Sequence, residues 1–358
     1  MEPNPPPATP ERRRPAPRLP GWFVACEAEA LGARPLAATV QGLPLVLFRG
    51  AGGRPGALED RCPHRNAPLS AGRVRGGALE CAYHGWRFAP DGTCLAVPGL
   101  DGPPEARAAR APALPCAEQD GYVWVAPAAA PPAGPPRRFQ HLGGAGYTTV
   151  RNALDVRASL FRAVENVLDV PHTAYLHGGL FRTAGARRDI DVVVRRWSDR
   201  CEAEYLGETA PSGVVGRLLA PGGGVVRHFD RFLLPCVAEV EYRLGDRSHL
   251  VATTAVTPID DEHARLFSAV TFRLPVPGAA VAAVLGPVAR RILAQDARML
   301  ALQSETVARF GGERFATTEA DVLGPQIARL LREAERGAAA PGPDGGPPAY
   351  EHRVRMRL

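Results

Sequence analysis

Two short residue pairs set the tightest limit on what this chain can fold into: Cys62-Pro63-His64 and Cys81-Ala82-Tyr83-His84, separated by sixteen residues. Each offers one thiol and one imidazole, so neither completes a four-ligand metal site alone. The two loops must therefore meet at one end of a small structure. Zinc sites of the Cys2His2 type usually put both Cys on one knuckle and both His on a helix. One of each per loop instead suits a two-iron cluster with thiolates on one iron and imidazoles on the other. Zinc stays open as the alternative at this point. The flanking pattern reads as β structure. Ala37–Val40 and Leu43–Phe48 flank Gln41-Gly42, and Trp86–Phe88 and Thr93–Val97 flank Asp91-Gly92. Asp-Gly between apolar runs predicts a hairpin.

At 358 residues the chain has room for about two domains. It is 45% hydrophobic and 22% charged, an ordinary folded composition, and its 38 Gly and 37 Pro favour turn-rich β structure over a helical bundle. Every one of the 43 basic residues is Arg, which excludes a Lys Schiff base or a P-loop Lys. The net charge of +6 is spread out, with no basic run interleaved with aromatics, so nucleic acid is not an expected partner. No apolar window predicts a membrane span, and seven cysteines without an export signal predict reduced thiols in the cytoplasm. Composition shifts divide the chain. Residues 1–19 read as a disordered tail, 20–126 as an all-β domain and 127–139 as a Pro-rich linker leaving the two domains separable. Residues 140–336 read as a second domain and 337–358 as a mostly disordered tail. Within the second domain, 155–177 reads helical, 188–275 carries strands, 279–310 forms a long amphipathic helix and 319–334 a shorter one. The fold class is α+β, a sheet with helices packed on it.

The second domain carries its own donor set. Asp169 and His172 are three apart and share a helical face. His172 and His177 are five apart, about 140° on a regular helix, so both reach one metal only where the helix is distorted or ends. Pro171 and Gly178-Gly179 supply such a departure. A distant carboxylate would complete a two-His-one-carboxylate face. Asp296 interrupts the apolar stripe Leu285, Val288, Ile292, Leu293, Met299, Leu300 and Val307. A carboxylate there costs several kcal/mol unless paired or bound to metal. Pairing with Arg290 or Arg291 is the competing explanation.

These residues carry a family resemblance. Cys62–Ser70 and Cys81–Phe88 resemble the cluster loops of Rieske non-haem iron oxygenases. Asn166–His177 resembles that family's N-x-x-D-x-x-H-x-x-x-x-H motif, and Gln295-Asp296 with Gln303 resembles its late helix. Members often carry an acid at the places held here by Gln295 and Ala301. Respiratory Rieske proteins add a cysteine to each loop; Ala67 and Ala82 stand there instead, which excludes them. The resemblance spans about residues 20–335. It implies an N-terminal all-β Rieske domain with a [2Fe-2S] cluster on Cys62, His64, Cys81 and His84. It further implies a C-terminal helix-grip antiparallel sheet with mononuclear Fe(II) on His172, His177 and Asp296, and Asp169 and Asn166 acting beside them. It also implies a homotrimer in which one subunit's cluster serves its neighbour's iron through Asp169. Electrons would come from NAD(P)H through a separate reductase, with or without a ferredoxin, and O2 would hydroxylate, demethylate or desaturate a small molecule. The short late-helix motif fits the single-chain monooxygenase and demethylase branch better than the aromatic-ring dioxygenases. An electron-transfer protein with a non-catalytic second domain is the alternative and requires a defective iron triad. A zinc-binding structural module is the other. Pocket walls are expected from the strands between Asp189 and Leu274.

Overall fold

The computed structural model describes residues 19–101, 110–127, 132, 134–178, 189–208, 226–244, 248–337 and 346–357. The first part is built from short strands: β1 (Phe23–Glu27), β2 (Leu36–Val40), β3 (Leu43–Arg49), β4 (Pro55–Glu59), β5 (Arg73–Arg75), β6 (Ala78–Glu80), β7 (Arg87–Phe88), β8 (Cys94–Ala96), β9 (Ala113–Leu114), β10 (Cys116–Gln119) and β11 (Tyr122–Val125). They form three small antiparallel sheets, ordered β1-β11-β10, β2-β3-β4-β9 and β5-β6-β7-β8. Both hairpins expected from sequence are present, β2-β3 around Gln41-Gly42 and β7-β8 around Asp91-Gly92. Gly92 is obligatory: its φ is +81°, and a Cβ there would lie 1.9 Å from the Ala111 carbonyl oxygen.

The second part contains β12 (Thr148–Val156), α1 (Leu160–Leu168), α2 (Thr173–Leu176), β13 (Asp189–Arg196), β14 (Arg200–Leu206), β15 (Arg227–Leu233), β16 (Val237–Leu244), β17 (Ser248–Pro258), β18 (Ala264–Arg273), α3 (Gly278–Phe310), α4 (Gly324–Glu335) and β19 (Tyr350–Arg357). The strands make one eight-stranded antiparallel sheet, β12-β18-β17-β16-β15-β14-β13-β19. Helix α1 packs across β15, β16 and β17, and α3 packs along β12 and against α1. Register puts Asp230, Val240, Ala252 and Val270 in one row across the sheet, and His228, Tyr242 and Leu250 in the next. Because side chains alternate along a strand, these even-numbered positions share one face. Helix α3 ends where Gly311 turns left-handed at φ 75°, its amide bonding back to Ala308 while Gly312 bonds to Val307.

Four expectations need correction. The helical reading of 155–177 is interrupted: β12 runs through Val156, α1 stops at Leu168, and α2 is a single turn. The tail 337–358 is not mostly disordered, because β19 pairs with β13 over all eight of its residues. Its alternating charges meet partners far away in sequence, Arg353 with Asp191 and Arg357 with Asp189, both at 2.8 Å. Composition alone cannot reveal such partners. The segment 127–139 is not simply a free linker either. Trp22 Nε1 donates to the Gly134 carbonyl at 2.8 Å, Gln119 Nε2 to the Pro136 carbonyl at 2.6 Å, and Phe139 is buried. The two parts of the chain therefore pack directly against each other. The Gln41 and Gly42 amides donate to the Pro258 and Ile259 carbonyls at 2.7 and 2.8 Å. One hydrophobic core runs from Phe23, Tyr122 and Trp124 to Val156, Val256 and Phe267. Of the predicted N-terminal tail, Leu19 is buried and paired with the Gln41 side chain, and residues 1–18 lie outside the described residues.

Candidate metal centres

The two Cys/His loops fold as matching knuckles. The Asn66 amide donates to the Cys62 carbonyl at 2.9 Å, and the Gly85 amide to the Cys81 carbonyl at 3.0 Å. Each loop turns left-handed four residues after its Cys, at Asn66 (φ 59°) and Gly85 (φ 69°). Cys62 and Cys81 are buried free thiols, whereas His64 is half-buried and His84 exposed. The imidazoles meet at a centroid distance of 4.6 Å, and His64 stacks on Trp86 at 4.7 Å. Burial pushes the Cys62 thiol up to about 11 against a hydrogen bond from the His64 amide, and the adjoining Cys81 adds to the rise. Burial there disfavours the Cys62 thiolate, a cost that a bound cation would offset. His64 Nδ1 is buried without a hydrogen-bond partner. Two inner thiols and two outer imidazoles are the donor set of a Rieske cluster.

The second donor set is assembled from both ends of α2 and the middle of α3. His172 and His177 flank the single turn Thr173–Leu176, and at His177 the backbone leaves helical geometry (φ −110°, ψ 34°). The helix thus ends where the five-residue spacing requires. Asp296 faces them from α3. Its Oδ1 lies 3.0 Å from His177 Nε2 and 3.5 Å from His172 Nε2, and the two Nε2 atoms are 3.2 Å apart. Donors about 2.1 Å from a shared cation and at right angles lie about 3.0 Å apart. Despite that proximity, Asp296 Oδ1 makes no hydrogen bond of good geometry. Arg290 and Arg291 are not its partners.

Each imidazole is held from behind. His177 Nδ1 lies 2.9 Å from Gln295 Oε1, an acceptor that leaves Nε2 its lone pair. His172 Nδ1 donates to the Asp169 carbonyl oxygen, with Asp169 Oδ2 3.5 Å away. Burial opposes protonation of His172, yet the Asp169 and Asp296 carboxylates outweigh it and lift the pKa to about 9. Burial alone would raise Asp296, and the two imidazoles more than offset it, leaving it below the ordinary carboxylate value. The field at this point favours a cation, and the three donors fit Fe(II).

A cavity of about 190 Å3 opens between α1, α3 and the sheet, lined mostly by apolar side chains such as Val240, Ala252, Val270 and Ile292, with the triad in its wall. A separate surface cleft reaches His172 from outside, past Asn166, Asp169 and the exposed Tyr175.

Residues 21–115 match the Rieske [2Fe-2S] domain family, and residues 156–336 match the vanillate O-demethylase oxygenase C-terminal domain family. The chain belongs to the Rieske non-haem iron oxygenases. Its fold resembles that of dicamba monooxygenase bound to dicamba, with a TM-score of 0.77 and 24% identity over 90% of this chain and 98% of that one. Among curated relatives, the dicamba O-demethylase oxygenase component of Stenotrophomonas maltophilia is 35% identical over 202 residues, 55% of this chain and 59% of that protein. The chloroplastic chlorophyllide a oxygenase of Chlamydomonas reinhardtii is 37% identical over 140 residues, 39% of this chain and 21% of that protein. The chain thus spans less than two thirds of the length of these two curated relatives.

Of the seven predicted donors in this Rieske oxygenase, His172, His177 and Asp296 converge with their ligand atoms within 4.8 Å of one another. Cys62 adjoins Cys81 and His64 meets His84, and Asp169 and Asn166 lie beside the triad. The strands between Asp189 and Leu274 supply one wall of the pocket, and the segments 166–177 and 285–296 supply the rest. Sequence reasoning missed which residues of the strands face inward, including His228, Asp230 and Tyr242. Their signal was the polar residues at every second position in His228-Phe229-Asp230, legible only once the sheet's inner face is known. No helix among the described residues is long and apolar enough to cross a membrane.

Proposed function

We infer that this chain is the terminal oxygenase of a multicomponent system. The observation carrying that reading is the convergence of His172, His177 and Asp296 in the wall of an apolar cavity, in a chain that also presents paired Cys/His knuckles. Cys62, Cys81, His64 and His84 would hold the [2Fe-2S] cluster, and His172, His177 and Asp296 the mononuclear Fe(II). His172, His177 and Asp296 would hold it from one side of the cavity, where it would supply O2 chemistry beside the substrate. Gln295 and the Asp169 carbonyl fix the imidazole tautomers, and the cavity excludes water around an apolar substrate. Asp169 is a positioning residue. Its carboxylate is 39% exposed in the surface cleft, where it can accept a hydrogen bond from His84 of a neighbouring subunit. That geometry suits a homotrimer with electron transfer between subunits.

The outcome on substrate is hydroxylation, demethylation, desaturation or dihydroxylation, with one-chain monooxygenation or demethylation favoured by the family match. Electrons come from NAD(P)H through a reductase, directly or through a ferredoxin, and the protein works in the cytoplasm. The competing electron-transfer reading requires a broken triad, and nothing in the geometry favours it. The test is oxygen uptake by iron-loaded protein with a surrogate reductase across a panel of small aromatic ethers, N-methyl compounds and alicyclic molecules. Uptake coupled to a hydroxylated or demethylated product is the expected result. Cluster reduction without product from any compound would favour electron transfer.

A further inference from the structure

A second polar cluster lines the same cavity from the sheet, and the metal centres do not use it. His228 is fully buried, with Nδ1 2.6 Å from Glu208 Oε2 and Nε2 3.0 Å from Asp230 Oδ1. Tyr205 and Tyr242, on the strands either side, sandwich its ring at centroid distances of 4.3 and 4.1 Å. An imidazole facing a carboxylate at each nitrogen donates at both and carries a proton. Burial opposes that charge, and Asp230 and Glu208 overcome it, lifting the pKa to about 9.

This arrangement commits Asp230 Oδ1 to His228 and fixes the plane of the carboxylate. The other oxygen, Oδ2, is buried with no hydrogen-bond partner. The Tyr205 hydroxyl contacts the same carboxylate, yet neither it nor Asp230 Oδ2 has a hydrogen-bond partner of good geometry. Asp230 is fully buried and lines the cavity. A carboxylate oxygen left unpaired in such a place is costly unless a ligand supplies the donor. The chain has no Lys, and no Arg lines the cavity among the described residues. The inner-face imidazolium that could greet an anion, His228, has both N–H groups occupied.

We propose that Asp230 Oδ2 anchors the substrate, and that the preferred substrates are small apolar molecules bearing a hydrogen-bond donor, above all a protonated amine, in place of a carboxylate. Val240, Ala252 and Val270, in the same row as Asp230, supply the apolar surface for the rest of the molecule. In this low-dielectric setting a cation is drawn to the buried carboxylate and an anion repelled by it. The inference rests on the oxygenase reading in taking the cavity as the substrate site.

The test measures binding, so that it stands apart from turnover. Iron-loaded protein is titrated calorimetrically, without oxygen, with 4-methoxybenzylamine, 4-methoxybenzyl alcohol and 4-methoxybenzoate. The amine is expected to bind at least about tenfold tighter than the benzoate, with the alcohol between. Asp230→Asn, checked for an unchanged cluster spectrum and iron content, should cut the amine-to-benzoate ratio at least about tenfold. Should that variant fail to fold, the order of the three probes on the wild type decides. Benzoate binding as tightly as the amine, an unchanged ratio in Asp230→Asn, or no saturable amine binding would each overturn the proposal. Amine preference without oxygen-dependent turnover would uphold it and defeat the oxygenase reading. Turnover of the benzoate by a protein that ignores the amine would do the reverse.

Discussion

Gln295 stands where relatives often carry an acid, and its position explains why a neutral amide serves. Its Oε1 accepts from His177 Nδ1 at 2.9 Å, which fixes the tautomer without adding a negative charge beside Asp296. Gln295→Leu removes that acceptor and should weaken iron binding about 10–100-fold, whereas Gln295→Glu should retain it. Anaerobic Fe(II) titration of the apoprotein checks both. Glu165 supplies a pH-dependent outcome. Burial first, then Asp169, Asp321 and Glu313, push its pKa from 4.5 to about 7. A carboxyl with a raised folded pKa disfavours its charged form, so its destabilising effect is absent below about 4.5 and complete above about 7. Glu165→Gln should therefore raise stability at pH 8 by ~1–2 kcal/mol, after discounting for solvent around this half-buried group, and change little at pH 5. Melting curves at the two pH values decide; equal shifts at both would contradict the assignment. The donors themselves were legible in the sequence because their chemistry restricts residue type and spacing. The Gln295 contact was not, since no spacing rule links residue 295 to residue 177.

Helix α3 was readable almost to its ends from its apolar stripe, and the buried Asp296 within that stripe was the strongest pointer to the triad. The break between α1 and α2 was legible as a requirement, five residues between two ligands, but its form was not. The structure meets it with a single turn capped by a histidine at each end. Strand β19 was invisible because its stability comes from β13, more than 150 residues away in sequence. Its Met356 is 7% exposed, and burying a side chain of that size contributes about 1.5–3 kcal/mol. Deleting residues 349–358 should cost roughly 2 kcal/mol or more and leave β13 as a bare edge prone to association. A lowered melting midpoint with increased light scattering is expected, and an unchanged midpoint would show that β19 contributes nothing.

The continuous core from Phe23 to Phe267 makes the two parts of the chain one unit, so electron transfer by domains swinging within a chain has no support in the packing. An exposed His84 and an Asp169 open to a surface cleft instead suit transfer between subunits. Mixed oligomers of a His84→Ala chain and a His172→Ala chain should therefore regain partial activity, each alone having none. Verified mixed oligomers that stay inactive would restrict transfer to a single chain. Beneath all of these outcomes lies the presence of two distinct iron centres. Iron analysis joined to EPR of anaerobically purified protein addresses it in one preparation. The expected result is about three irons per chain, two in the cluster and one mononuclear, with the low-g signal of a reduced Rieske cluster. Asp296→Ala should fall to about two irons with that signal unchanged. A colourless protein holding stoichiometric zinc after iron-replete expression, or an Asp296→Ala variant with full iron content and turnover, would contradict the account.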